Sequence, residues 1–126
     1  MQLGCYKSRE KLFQQKIVKS DVCLACDWKV SENLYHLLFL CPHYEDIRQP
    51  ILTRLLLKNN NLTPILEDKR LVVTMILDPE SNLLPNEITS NWKSTEDVYG
   101  LCRDLCYHIH RKREKLYNEK DKMTVN

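Results

Sequence analysis

The stretch CLACDWKVSENLYHLLFLC, residues 23–41, decides how this chain is read. It sets Cys23, Cys26, His36 and Cys41 in the order C-x2-C-x9-H-x4-C. Two thiols separated by two residues come from one tight turn whose backbone N–H groups can aim at the sulfurs, and zinc takes four such soft or borderline ligands in a tetrahedron. The second pair poses a geometric difficulty. At about 100° per residue, positions 36 and 41 lie roughly 140° apart around a regular helix, so both cannot point inward from it. Cys41 is therefore expected beyond the helix end, at the break that Pro42 enforces. The competing reading makes the cysteines core residues and His36 a surface histidine; the two spacings and a capped helix between them favour the metal. Three thiolates and one imidazole fill all four positions and leave none open for water, so the site reads as structural, not catalytic. His43 is a substitute ligand that the set does not need.

Working outward, Ser31 reads as the N-cap of a helix through ENLYHLLFLC, with Glu32 favouring its positive end and Leu34, Leu37, Leu38 and Cys41 recurring at helical spacing. Upstream, Leu12 to Val18 can form a short helix with Leu12, Phe13 and Ile17 on one side. Downstream, HYEDIRQPILTRLLLK carries a stripe of Tyr44, Ile47, Ile51 and Leu55 that Pro50 must kink or divide. NNNLTP is a loop. ILEDKRLVVTMIL reads as a buried helix or, from its β-branched residues, a strand; helix is preferred because no second alternating segment exists to pair with it. DPESNLLPNE, with two prolines, is a loop. The clearest helix comes last: Ser94 or Thr95 caps it, Glu96 and Asp97 fill its first turn, and Val98, Leu101, Leu105, Ile109 and Leu116 form its apolar stripe.

A chain of 126 residues, 43% hydrophobic and 29% charged, fits one globular domain. The net charge of +2 is too small to argue for a nucleic-acid partner by itself, but its distribution is uneven. Residues 1–20 carry five basic side chains against one acid, and residues 103–122 carry seven against four, so both ends are basic and the middle is acidic. No stretch approaches the ~20 apolar residues that a membrane span needs, and the first residues lack the apolar core of a secretory signal. Six cysteines are then expected to be reduced, in the nucleus or cytoplasm, which moves close cysteine spacing from disulfide toward metal.

Other clusters are weaker. Cys102, Cys106 and His110 recur four apart on the last helix, where buried packing explains the cysteines better than a second metal. HRKREK, with CYKSREKLFQQKIVK, can form a basic surface interleaved with Tyr6, Phe13, Tyr107 and Tyr117, although a solvated helix face explains it equally well. No Gly-rich phosphate loop, nucleophile elbow or close carboxylate pair is present, so no enzyme is expected. Asp78, Glu80 and Glu87 sit among prolines, where acids are commonly just solvated.

With the ligands placed, SDVCLACDWKVSENLYHLLFLCPHYEDIR resembles the zinc-binding segment that follows the reverse transcriptase region of non-LTR (LINE-type) retrotransposon polyproteins. That family's pattern is C-x2-C, a polar stretch with a glutamate, H-x-L-F-x-C-P and a later arginine. Here these are Cys23, Cys26, Glu32, His36, Leu38, Phe39, Cys41, Pro42 and Arg48, and the resemblance covers roughly residues 3–56. It implies a non-catalytic module, detached from its polyprotein, that grips nucleic acid around one structural zinc ion; the polymerase and endonuclease residues have no counterpart here. The expected fold is mainly α, a small zinc-stapled helical domain with a long C-terminal helix. Its parts are a CCHC module over 1–57 and a helical region over 58–126 packed on it, frayed after 119. Candidate phosphate contacts are Lys7, Lys11, Lys16, Lys19, Arg48, Arg111, Lys112 and Arg113. The alternatives are a zinc-stabilised protein-interaction domain and a transposon remnant without selected activity; sequence does not give the oligomeric state.

Overall fold

The computed structural model describes residues 8–58, 62–90 and 95–124. Helix α1 (Arg9–Gln14) opens on Ser8, whose hydroxyl accepts the Lys11 N–H at 3.3 Å. It closes in a Schellman arrangement: Lys16 adopts φ 61°, its N–H bonds the Phe13 carbonyl at 3.0 Å, and the Ile17 N–H bonds the Leu12 carbonyl at 2.9 Å. The helix therefore starts and stops earlier than the span Leu12 to Val18, and a lysine occupies a left-handed position that costs a non-glycine residue about 1–2 kcal/mol.

Residues 21–32 form a narrow loop closed by an antiparallel bridge between Val22 and Ser31. Its legs are joined by Cys23 N–H to Val30 O and Glu32 N–H to Asp21 O, each 2.8 Å, and Lys29 turns the corner at φ 55°. With Ser31 engaged there, the next helical turn is capped two residues later. Asn33 Oδ1 accepts the His36 N–H at 2.8 Å and its carbonyl accepts the Leu37 N–H at 3.0 Å. Asn33, not Ser31, is the cap.

That turn widens into a π-helical segment, His36–Leu40, and gives way to a 3-10 turn, Pro42–Tyr44, that runs into α2 (Glu45–Lys58). Pro50 does not divide α2. Its ring is on the exposed side, where water can replace the one backbone bond it removes. The apolar run after residue 61 is helical, as preferred, but in two pieces, α3 (Thr63–Leu66) and α4 (Lys69–Leu77). Asp68 starts the second, its Oδ1 accepting the N–H groups of Arg70 and Leu71 at 2.9 and 3.1 Å. The loop with two prolines ends in a short helix, α5 (Asn86–Thr89), which starts directly after Pro85. Helix α6 (Thr95–Thr124) is continuous past Glu119; Ser94, one of its two candidate caps, lies outside the described residues.

Helix α6 is the spine against which α2 and α4 pack. Val98, Leu105 and Ile109 are wholly buried in one core with Leu37, Leu38, Tyr44, Leu55, Val72 and Met75. Leu101 and Leu116, on the same stripe, are half-buried. The protein is mainly α; among the described residues there is no strand, and no helix is long and apolar enough to cross a membrane. Residues of the loop and π-turn, Cys23, Leu37, Leu38 and Cys41, belong to the same core as the helices, so the cysteine-histidine segment is built into the fold.

Candidate metal centre

Three short pieces of backbone deliver the four side chains. The loop supplies Cys23 and Cys26, with the Ala25 N–H aimed at Cys23 Sγ at 3.4 Å, the backbone-to-sulfur contact expected of a C-x2-C turn. The π-turn supplies His36. Cys41 follows it in extended conformation, φ −62° and ψ 119°, with its N–H on the His36 carbonyl at 2.7 Å. This bond reaches back five residues, as in a π-helix, so positions 36 and 41 complete one widened turn and come to the same side. Cys41 ends the turn as expected; the widening that aligns it with His36 has no signature in the spacing alone.

The donor atoms of Cys23, Cys26, His36 and Cys41 all lie within 4.8 Å of one another. Cys23 Sγ is 3.9 Å from Cys41 Sγ, and Cys26 Sγ is 3.5 Å from His36 Nε2. Zinc at about 2.3 Å from sulfur and 2.05 Å from nitrogen, at tetrahedral angles, requires separations of about 3.8 and 3.5 Å. The four donors are close enough together to share one ion, and these two separations are near those it requires. Cys23, His36 and Cys41 are buried and Cys26 half-buried; the Trp28 ring stands edge-on to His36 at 5.9 Å. The hydrogen bond between the two sulfurs holds the Cys23 thiol well below its ordinary range, while the same bond and burial push Cys41 upward. One thiolate is thus favoured within the cluster.

Arg48 supports the centre from α2. Its guanidinium donates to the carbonyls of Leu38 at 2.7 Å, Cys41 at 2.9 Å and Leu37 at 3.5 Å, and pairs with Glu45 at 2.6 Å. It takes up the Leu37 and Leu38 carbonyls at the end of the π-turn and shares the Cys41 carbonyl with the Tyr44 N–H, 3.2 Å away. Arg48→Met is expected to destabilise the protein by about 3 kcal/mol, since it strips charged hydrogen bonds from buried carbonyls, and to weaken metal binding about 10–100-fold. Urea denaturation and competition with a chelating dye measure the two; unchanged metal affinity would mean that the π-turn keeps its shape unaided.

Glu32, which follows the loop, is fully buried. Its carboxylate accepts Arg113 Nε at 3.1 Å and Nη2 at 2.7 Å from α6, the Arg9 N–H at 2.7 Å from the start of α1, and the Tyr117 hydroxyl. Tyr117, pushed upward by burial and by Glu32, stays a neutral donor, with the Arg113 guanidinium 4.3 Å from its ring centre. Glu32 does not serve a helix beginning at Ser31; it clamps the metal loop to both ends of the described structure.

These contacts re-sort the basic candidates. Arg48 and Arg113 are buried and committed internally, so neither offers its guanidinium to a phosphate. Lys112 is half-buried, donating to Asp46 at 3.0 Å and to the His43 carbonyl at 2.8 Å. Lys16, Lys19 and Arg111 are exposed and Lys11 half-buried, while Lys7 lies outside the described residues. Cys102 and Cys106 are buried in the core, their thiols pushed up to about 12 and about 11 by burial, and the Cys106 thiol donates to the Ile76 carbonyl at 3.8 Å. His110 pairs with Glu114 at 3.1 Å. Among the described residues, Cys23, Cys26, His36 and Cys41 are the one group of three or more side chains placed to share an ion; His43 stands outside it, edge-on to Tyr44.

Fold and site define a mainly α protein with a Cys3His cluster that can hold one metal ion. Compared with known proteins, the chain matches no protein-family model, no curated protein and no solved structure.

Proposed function

We propose that this chain is a non-catalytic zinc module of the kind that follows reverse transcriptase in non-LTR retrotransposon polyproteins, and that it contacts nucleic acid. The observation that carries the metal is the convergence of three thiols and an imidazole within 4.8 Å of one another, two of the pairs near the separations of a tetrahedral ion. Soft thiolates with an imidazole select zinc over calcium or magnesium, and a full set of four leaves no open position. When bound, zinc contributes a fixed crosslink between residues 23–26 and 36–41. Arg48 and Asn33 hold the π-turn in register for it, and Glu32 joins it to α6. Retrotransposon ancestry is supported by the order of residues from Cys23 to Arg48, and a nucleic-acid partner by the exposed cations of α6. Such thiolates persist in a reducing compartment, nucleus or cytoplasm.

Elemental mass spectrometry on the purified chain tests the metal: one zinc per chain is expected, lost in His36→Ala and Cys41→Ala. A folded wild-type protein free of zinc overturns it. Binding to a single-stranded oligonucleotide that weakens steeply with salt tests the partner. The alternative of a zinc-stabilised protein-interaction domain rests on the exposed Phe13, Ile17 and Trp28, and it predicts a protein partner whose affinity hardly responds to salt.

A further inference from the structure

We propose that the outward face of α6 seats a single strand of nucleic acid, with Arg111 and Lys115 on its phosphates and Tyr107 under a base. This rests on the nucleic-acid reading above and names the surface that performs it. At about 100° per residue, Asn118, Arg111, Lys115, His108 and Lys112 fall within a sector of roughly 120° around α6 that runs from its solvent side to the edge of the Val98, Leu105 and Ile109 side, where Lys112 lies half-buried. They wall an open groove of about 870 Å3 whose floor includes Ile47 of α2. Lys112, tied to Asp46 and the His43 carbonyl, bolts α6 to the start of α2 and fixes the width of this groove. Glu114 lines the groove as well, its carboxylate 3.1 Å from His110 Nε2. Arg111 and Lys115 are therefore the cations that the groove presents.

Beside them lies an aromatic platform. Tyr107 is 52% exposed, its ring open to solvent. Its hydroxyl accepts Arg111 Nη1 at 3.0 Å, and the guanidinium stands 5.7 Å from its ring centre. His108 meets the Tyr107 ring edge-on at 5.2 Å. A cation positioned on a phenol, next to an open ring, matches what an unpaired nucleotide offers: a phosphate and a π-face together. A duplex hides its π-faces, so the same platform has no purchase there.

The test uses the full-length zinc-loaded chain and a fluorescently labelled oligouridylate, with anisotropy followed across a salt series. Arg111→Gln/Lys115→Gln is expected to reduce the slope of log affinity against log salt by about 1.4, two single-strand phosphate contacts. Tyr107→Ala is expected to weaken binding about five-fold or more with the slope unchanged, while Tyr107→Phe keeps wild-type affinity. The charge-matched Arg54→Gln/Arg70→Gln, on exposed positions of α2 and α4, is expected to change neither. All these sites are at the surface, and zinc content with far-ultraviolet circular dichroism verifies that each variant is folded. No binding by the wild type defeats the nucleic-acid reading itself. A salt-dependent wild type whose slope survives Arg111→Gln/Lys115→Gln, or falls instead with Lys16→Gln/Lys19→Gln, overturns the α6 face and leaves that reading standing. Equal loss with duplex, or no loss in Tyr107→Ala, overturns the stacked strand.

Discussion

Stripping zinc from the loaded protein, or replacing His36 or Cys41 by alanine, is expected to unfold the chain as a whole, beyond the loop that carries the metal. The loop and π-turn have little backbone structure of their own; residues 21–32 are joined across by one bridge and its two flanking bonds. Yet Cys23, Leu37, Leu38 and Cys41 contribute directly to the core that α2, α4 and α6 share. Losing the ion removes on the order of 10 kcal/mol, and a domain of this size holds only about 5–15 kcal/mol in total. Chelation followed by circular dichroism should show α6 losing helicity in the same transition as the rest, with recovery when zinc returns. Native helicity and cooperative melting in the zinc-free protein would contradict this.

The second large effect belongs to the Glu32–Arg113 pair. Arg113→Ala leaves a fully buried carboxylate with only the Tyr117 hydroxyl and the Arg9 N–H, and is expected to cost about 3–5 kcal/mol. Glu32→Ala removes the carboxylate that balances the buried guanidinium, which keeps its contact with the Tyr117 ring. Removing both charges together, as Glu32→Leu/Arg113→Met, is expected to cost less than either alanine substitution, because no charge is then left buried without a partner. Urea denaturation of the zinc-loaded variants as a double-mutant cycle gives the coupling, and near-additive effects would show that the pair is not the clamp described.

Much of this was legible in the order of residues, and the failures share a physical cause. The ligand set stands out because C-x2-C and H-x4-C are local spacings, and the helices because apolar residues repeat along them. Local rules mislead where tertiary structure decides between two acceptable local choices. Ser31 and Asn33 are both good caps, and the bridge to Val22 decides for Asn33. Pro50 costs a helix least where the carbonyl it leaves unbonded can turn to water, and here its ring is on the exposed side. The run Arg111, Lys112, Arg113 looks like one basic cluster, but each step turns about 100° around the helix. One side chain consequently reaches solvent, one Asp46 and one the buried Glu32. No spacing announces Arg113 as internal, because Glu32 lies 81 residues away, and Arg48 is held chiefly by backbone carbonyls, which leave no mark in the sequence.

Glu32 and Arg113 are 81 residues apart in sequence, which gives their pairing a place in time as well as in space. At about 5–20 residues per second, a ribosome makes the loop roughly 4–16 s before it makes the arginine. During that interval Cys23, Cys26, His36 and Cys41 have already been made, whereas Glu32 cannot be buried without leaving its charge uncompensated. The nascent loop is therefore expected to keep its glutamate in water until the segment that carries Arg113 has been made.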